Sequence, residues 1–180
     1  LPEQPAFTAH VGDFVDDEQI FSEIDNTAKM LNQHPKFNSI DMIHVLGNHE
    51  YQGDDGTKAK TIYGIPDNDP DISKNGCYST NYGNMHISVI GWTDSTEMMD
   101  AEMEWLRDDV NSSDKTWNIV FTHQPAYNKN PADTTSLMFN KMLPAVCDEL
   151  GIDFVFNGHD HSYGRTYPLV NGEKSTNGTV

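Results

Sequence analysis

The chain has 180 residues, 36% of them hydrophobic, enough to bury one sizeable core, and nothing in its pattern divides it into two independent domains. Its formal net charge of -17 excludes backbone binding to nucleic acid and to anionic lipid, because each needs a basic face that releases counterions. No run approaches the ~20 apolar residues of a bilayer span or has the pattern of a signal peptide, and an anionic substrate must be attracted by bound metal ions rather than by side-chain cations.

In chain order, the apolar run from Ala6 to Val11 predicts a buried strand that opens into Gly12-Asp13. Ile20, Phe21, Ile24, Ala28 and Leu31 then recur at helical spacing, with Asp16, Asp17 and Glu18 at the start, where the helix dipole favours acids. His34, beside Pro35, is expected in solvent. A second strand, Met42 to Leu46, opens into Gly47-Asn48-His49-Glu50. The stretch from Tyr51 to Asn75 is rich in Gly, Asp, Pro and Lys and lacks clear periodicity, so it reads as a long loop framing a substrate cleft. Cys77 to Tyr82 and Met85 to Gly91 alternate around Gly83-Asn84, a hairpin signal.

Met99, Met103, Leu106 and Val110 form the stripe of a second helix. The strand Trp117 to Thr122 follows and leads into His123-Gln124-Pro125. A third helix from about Ser136 carries Phe139, Met142, Leu143, Val146 and Leu150 and stops at Gly151. The last strand, Asp153 to Phe156, leads into Gly158-His159-Asp160-His161. Strands alternating with helices, plus one hairpin, predict an α/β sandwich with a mixed sheet. Leu1 sits a few residues before the first strand and Asn177 to Val180 reads as a turn opening into another, which implies a piece of a longer protein. Cys77 and Cys147 are far apart, without CxxC spacing, and are expected to be small packing residues.

Four polar loops thus follow four short strands, and open α/β sheets bind ligands at the carboxyl ends of their strands. Alone, an Asp after a Gly is a turn residue and a strand-end His is hydrogen-bonded structure. Four junctions carrying Asp, Asn and His together point to one metal site assembled from distant sequence. Asp13 is the candidate bridge, since a carboxylate can span two cations ~3.5 to 4 Å apart. His159 and His161, two apart on an extended segment, would project to one side and serve two neighbouring cations. The glycines before these residues allow an unusual backbone angle or a close approach. His10, His44 and His86 fall inside strands and read as packing or surface residues, and the apolar helix stripes as core faces.

The ordered series Gly12-Asp13, Gly47-Asn48-His49-Glu50, His123 and Gly158-His159-Asp160-His161 resembles the calcineurin-like metallophosphoesterases. Within them, His123 to Asn128 and Gly158 to Thr166 look like the purple acid phosphatase branch. The resemblance implies a four-layer α/β/β/α sandwich with mixed sheets, incomplete at both ends, and makes residues 1-180 a partial calcineurin-like phosphoesterase catalytic domain. It implies two divalent or trivalent metal ions (Zn, Fe or Mn), with Asp13 bridging, Asn48, His123 and His159 completing one site and His161 in the other. His49 would be a non-ligand contacting the phosphate or leaving group. Three departures stand out. The family's first motif would lie upstream of Leu1; Asp16 stands where purple enzymes have the metal-binding Tyr, so no purple band is expected; and Ala132 and Asp133 stand where plant enzymes carry a His pair.

The implied reaction is hydrolysis of a small phosphate monoester, in which metal coordination acidifies water from a pKa of 15.7 toward ~7 and His49, oriented by Glu50 or another acid, protonates the leaving alkoxide. The alternatives are a phosphodiesterase or nucleotidase on the same core, and a non-catalytic module that keeps a metal for stability. Partners are then phosphate ester substrates, with no nucleic-acid backbone and no membrane. The branch, with few cysteines and high acidity, implies an extracellular or cell-surface location.

Overall fold

A computed structural model describes residues 5-16, 21-33, 35, 39-52, 54-66 and 75-180. Eight strands and four helices follow in the order β1 (Phe7–Val11), α1 (Phe21–Gln33), β2 (Asp41–Val45), α2 (Thr57–Tyr63), β3 (Tyr78–Tyr82), β4 (Met85–Ile90), α3 (Thr96–Ser112), β5 (Trp117–Thr122), α4 (Thr134–Leu150), β6 (Phe154–Phe156), β7 (Leu169–Val170) and β8 (Glu173–Lys174) among these residues. They form a parallel β1-β2 pair, a mixed sheet ordered β3-β4-β5-β6, and the small hairpin β7-β8.

The two larger sheets pack face to face because their inner faces are apolar at every second position. Ile43 and Val45 of β2 meet Ile87 and Val89 of β4 and Phe121 of β5 in one buried cluster. The alternate residues of the same strands, Ile90 and Val120, face the other way, onto Met99, Met103 and Leu106 of α3 and Phe139, Leu143 and Val146 of α4. Beyond β2, Leu46 packs with Ala59 of α2, which also contacts α1. The order of layers is therefore helix, sheet, sheet, helix, a mixed α/β fold.

β1 to β6 and α4 lie within a residue or two of the expected bounds, α3 carries the expected stripe, and the short strands β7 and β8 are not among the expected elements. Gly83-Asn84 joins β3 and β4 as a two-residue turn, with Tyr82 opposite Met85. α4 is capped by Asp133, whose side chain accepts the Ser136 N–H, and ends at Gly151. Two expectations change. The stretch from Tyr51 to Asn75 is not all loop, since Thr57–Tyr63 is helical between Gly56 and Gly64, both in the left-handed region. One buried residue, Ala59, gives that short helix no stripe that a periodic pattern could display. The segment of His159 and His161 is not extended: their φ angles are 66° and 47°, and the chain bends there.

His34, Asp17, Glu18 and Ile20, together with the side chains of Phe21, Ile24 and Leu31, lie outside the described residues. Among those described, no helix is long and apolar enough to cross a membrane. Cys77 and Cys147 are buried in the α3-α4 core and are not joined by a disulfide, as expected of packing residues. His44 stacks on Tyr63, ring centroids 4.6 Å apart, and His10 lies edge-on to Phe14 at 4.0 Å. His86 is buried, and its ring nitrogens lie 2.9 Å from Asn81 Oδ1 and from Asp109 Oδ2.

Register brings the polar loops together. β1 and β2 end side by side at Val11 and Val45, while Thr122 of β5 lies beside Ile90 of β4 and Phe121 beside Phe156 of β6. The chain leaves each of β1, β2, β5 and β6 at the same end of the two facing sheets, where the gap between them opens.

Candidate metal centre

Four polar atoms converge at that opening. His123 Nε2 lies 3.2 Å from Asp13 Oδ2, 3.1 Å from Asn48 Oδ1 and 3.2 Å from His159 Nδ1, and His159 Nδ1 lies 3.1 Å from Asn48 Oδ1. The ligand atoms of Asp13, His123 and His159 all fall within 4.8 Å of one another, the one such His, Cys, Asp or Glu group among the described residues.

The other atom of each ring fixes what these atoms are. His123 Nδ1 is 2.7 Å from the Val11 carbonyl, which can only accept, so this nitrogen carries the proton and Nε2 offers a lone pair. His159 Nε2 is 3.0 Å from Asp133 Oδ2, so Nδ1 likewise offers a lone pair. With the amide and carboxylate oxygens, that makes four ligand-type atoms crowded together, with no proton between them while both rings are neutral. Such a set repels itself and is relieved by a cation, and its mixture of N and O ligands suits Zn, Fe or Mn.

The glycines are needed for this crowding. Gly12 has φ 91°, and a Cβ there would collide with the His123 ring and the Gly47 backbone. A Cβ on Gly47 would strike Asp13 and the His123 ring, so neither position accepts a side chain.

Glu50 builds the loop below. It is fully buried, and its carboxylate accepts the backbone N–H of Gly47, Asp13, Phe14 and Val15 at 2.7, 2.8, 2.6 and 3.2 Å. This corrects the role expected of it. Glu50 does not orient His49, because all its hydrogen bonds go to the backbone of the two loops. His49 Nδ1 instead lies 2.5 Å from the Asp16 carbonyl and 3.2 Å from the Gln52 amide nitrogen, while its backbone N–H donates to Asp13 Oδ1 at 3.1 Å.

Electrostatics follow the same geometry. Burial alone would raise the Asp13 carboxyl, but the His123 ring and the His49 amide and ring hold it below the ordinary carboxylate value. Burial, with His44 and His123 nearby, pushes His10 down to about 4, and burial does the same to His44, so both rings are neutral near pH 7. His10 Nδ1 accordingly faces the Gly12 N–H at 3.2 Å, a contact that braces the Asp13 turn.

Of the six sequence-predicted residues, the structure brings Asp13, Asn48, His123 and His159 into one cluster and sets His49 beside it. His161 is exposed and lies outside the cluster, because the bend at 159-161 removes the same-side projection expected of an extended segment. Sequence reasoning missed Gln124, Asn128 and Asp133, which meet behind His159. Asn128 Nδ2 donates to Asp133 Oδ2 at 3.0 Å, and the buried Gln124 amide donates to Ser136 Oγ at 2.6 Å and lies 3.4 Å from Asp133 Oδ1. The spacing Asp133 to Ser136 before an apolar stripe signals a helix cap and says nothing of the imidazole above it.

The family model for calcineurin-like phosphoesterases matches residues 1-163. Among curated proteins, the chain is 30% identical over 144 residues to purple acid phosphatase 18 of Arabidopsis thaliana, covering 74% of this chain and 33% of that protein. It is 26% identical over 149 residues to purple acid phosphatase 15 of the same plant, covering 78% and 28%. A solved purple acid phosphatase from yellow lupin (Lupinus luteus) seeds superposes with a TM-score of 0.71 at 20% identity, over 93% of this chain and 33% of that one. The chain thus spans about a third of the length of these relatives.

Proposed function

The chain belongs to the calcineurin-like phosphoesterase family, and from that premise we propose that residues 1-180 form part of the catalytic domain of a metal-dependent hydrolase acting on small phosphate monoesters. The observation that carries the reading is the convergence of Asp13 Oδ2, Asn48 Oδ1, His123 Nε2 and His159 Nδ1 with both ring N–H groups turned away. The likeness to purple acid phosphatases supports the monoester class.

These four residues would hold one Zn, Fe or Mn ion, and a second would share Asp13 with His161. A cation here supplies positive charge that acidifies water and polarises a phosphoryl oxygen. Everything else falls to the chain. Val11 and Asp133 hold the two rings with their lone pairs inward, and Glu50 fixes the Asp13 loop. His49, with its Nδ1–H held by the Asp16 carbonyl, has Nε2 as its other nitrogen, and in the imidazolium form that nitrogen would hand its proton to a departing alkoxide. In a chain of net charge -17, a phosphate has its attraction only at such a cation. Asp16 offers no phenolate, so an iron-loaded protein would lack the purple absorption. The relatives' branch supports a secreted or cell-surface location.

The test is hydrolysis by the full-length protein loaded with zinc, iron or manganese, using the mono- and bis-esters of p-nitrophenol. Faster turnover of the monoester, abolished by chelation, is the expected result. Preference for the bis-ester would replace the reading with a phosphodiesterase. Bound metal that raises Tm without turnover of either ester would leave a metal-stabilised module.

A further inference from the structure

His159, three residues beyond β6, carries the more exposed of the two rings in the cluster. It sits at φ 66° on a bent segment, and its ring keeps 27% of its surface exposed, whereas the His123 ring is 1% exposed. Its orientation therefore needs an outside cause, and one carboxylate faces it.

We infer that Asp133 is a positioning residue for the proposed metal centre, one that holds the His159 ring by Nε2 so that Nδ1 points at the cation position; the inference rests on the metal reading above. Asp133 is well placed for this. Its Oδ2 lies 3.0 Å from His159 Nε2 and also accepts from Asn128 Nδ2 at 3.0 Å, while Oδ1 accepts the Ser136 N–H at 2.9 Å. The carboxylate is thus gripped from the helix below before it touches the imidazole above. Gln124 closes the frame: its amide nitrogen reaches Ser136 Oγ, and its carbonyl oxygen accepts from Trp92 Nε1 at 3.2 Å.

Gln124 directly follows His123 in the chain. One buried side chain next to the first ring thereby steadies the acid that aims the second ring, while the Gly158 N–H, donated to the His123 carbonyl at 3.0 Å, ties the two loops together. A carboxylate hydrogen-bonded to a metal-binding imidazole fixes its tautomer and raises its basicity, and loss of such a partner typically costs ~10- to 100-fold in metal affinity.

Because Asp133 also caps α4, the test must separate the two roles. Asp133→Ser keeps a good cap but is too short to reach His159, while Asp133→Asn keeps the cap with its one oxygen and turns its NH2, a donor, toward His159 Nε2. In the full-length protein, zinc affinity by competition titration should fall about 10- to 100-fold in Asp133→Ser and in Asp133→Asn alike, with the metal-free Tm of both near that of the parent. In metal-free protein, nitrogen-proton NMR should show a slowly exchanging His159 Nε2–H in the parent, lost in both variants.

Unchanged zinc affinity with the proton signal retained in Asp133→Ser would overturn the inference, leaving a cap alone. So would a loss of affinity matched by a fall in metal-free Tm in both variants. A parent protein that takes up no zinc while keeping the protected Nε2–H would overturn the metal reading itself, and the metal-positioning role with it, leaving only the hydrogen bond.

Discussion

The two sides of the candidate centre are built differently. Asp13, Asn48 and His123 leave the ends of packed strands and are tied to the backbone through the Val11 carbonyl and Glu50, with His123 and Glu50 fully buried. His159 and His161 lie on a bent segment without regular structure, and there Asp133 holds the outer nitrogen of the one ring that reaches the cluster. One side is tied mainly to backbone and the other mainly to a side chain. Mutations on the first should therefore disturb stability and metal binding together, whereas mutations on the second should disturb metal binding alone.

The largest effect belongs to Glu50. Glu50→Ala leaves four backbone N–H groups without their acceptor in a buried place, at ~1 to 3 kcal/mol for each that water cannot reach. We expect a loss of about 3 to 5 kcal/mol in urea unfolding, with Glu50→Gln losing about half as much. A loss under about 1 kcal/mol would mean that the strands hold the Asp13 loop unaided, and the contrast between the two sides would weaken.

Next come the two clustered histidines. His123→Ala should lower zinc affinity more than about 100-fold and also destabilise the metal-free protein, since it empties a fully buried position between the sheets. His159→Ala should match it in zinc affinity and leave the metal-free Tm nearly unchanged. Equal destabilisation by both would show that the loop side is as much a part of the core as the strand side.

A buried acid behind the strand side provides a pH-dependent test. Tyr51, next to Glu50, donates to the Asn75 carbonyl at 2.6 Å, and the Asn75 amide donates to Glu102 on α3, a fully buried residue whose Oε2 has no hydrogen-bond partner among the described residues. Burial pushes the Glu102 carboxyl from its ordinary 4.5 up to about 8. Below pH 4.5 both folded and unfolded chains hold its proton; between 4.5 and about 8 the unfolded chain releases it while the folded one keeps it, so stability falls as pH rises. The slope from this group reaches at most about 1.4 kcal/mol per pH unit, and above about 8 it vanishes. Glu102→Gln should flatten urea-derived stability across that window and be the more stable protein at pH 8. An unchanged slope in Glu102→Gln would assign the pH dependence to other groups.

The strand-loop junctions were legible in the sequence because burial writes a local pattern: short apolar runs, then Gly with Asp, Asn or His. The rest depends on contacts between distant residues. Glu50 reaches the Asp13 loop across 37 positions, and Asp133 reaches His159 across 26, distances at which neither residue leaves a periodic signal. Helix α2 hid for a different reason, since seven residues with one buried side chain carry no stripe. The bend at His159 and His161 hid because left-handed backbone is written in glycines, and these two positions are not glycine.

His161 should give the smallest effect, and for that reason it is the most direct probe of how many cations the centre takes. It is exposed and outside the four-atom cluster, so His161→Ala should change the affinity for the first zinc less than about 2-fold and leave Tm unchanged. The two-ion proposal gives it work only at a second position, shared through Asp13. Metal titration of the full-length protein should then show two zinc ions in the parent and one in His161→Ala. Two in both would move the second position to other residues, and one in both would reduce the centre to the single site that Asp13, Asn48, His123 and His159 complete.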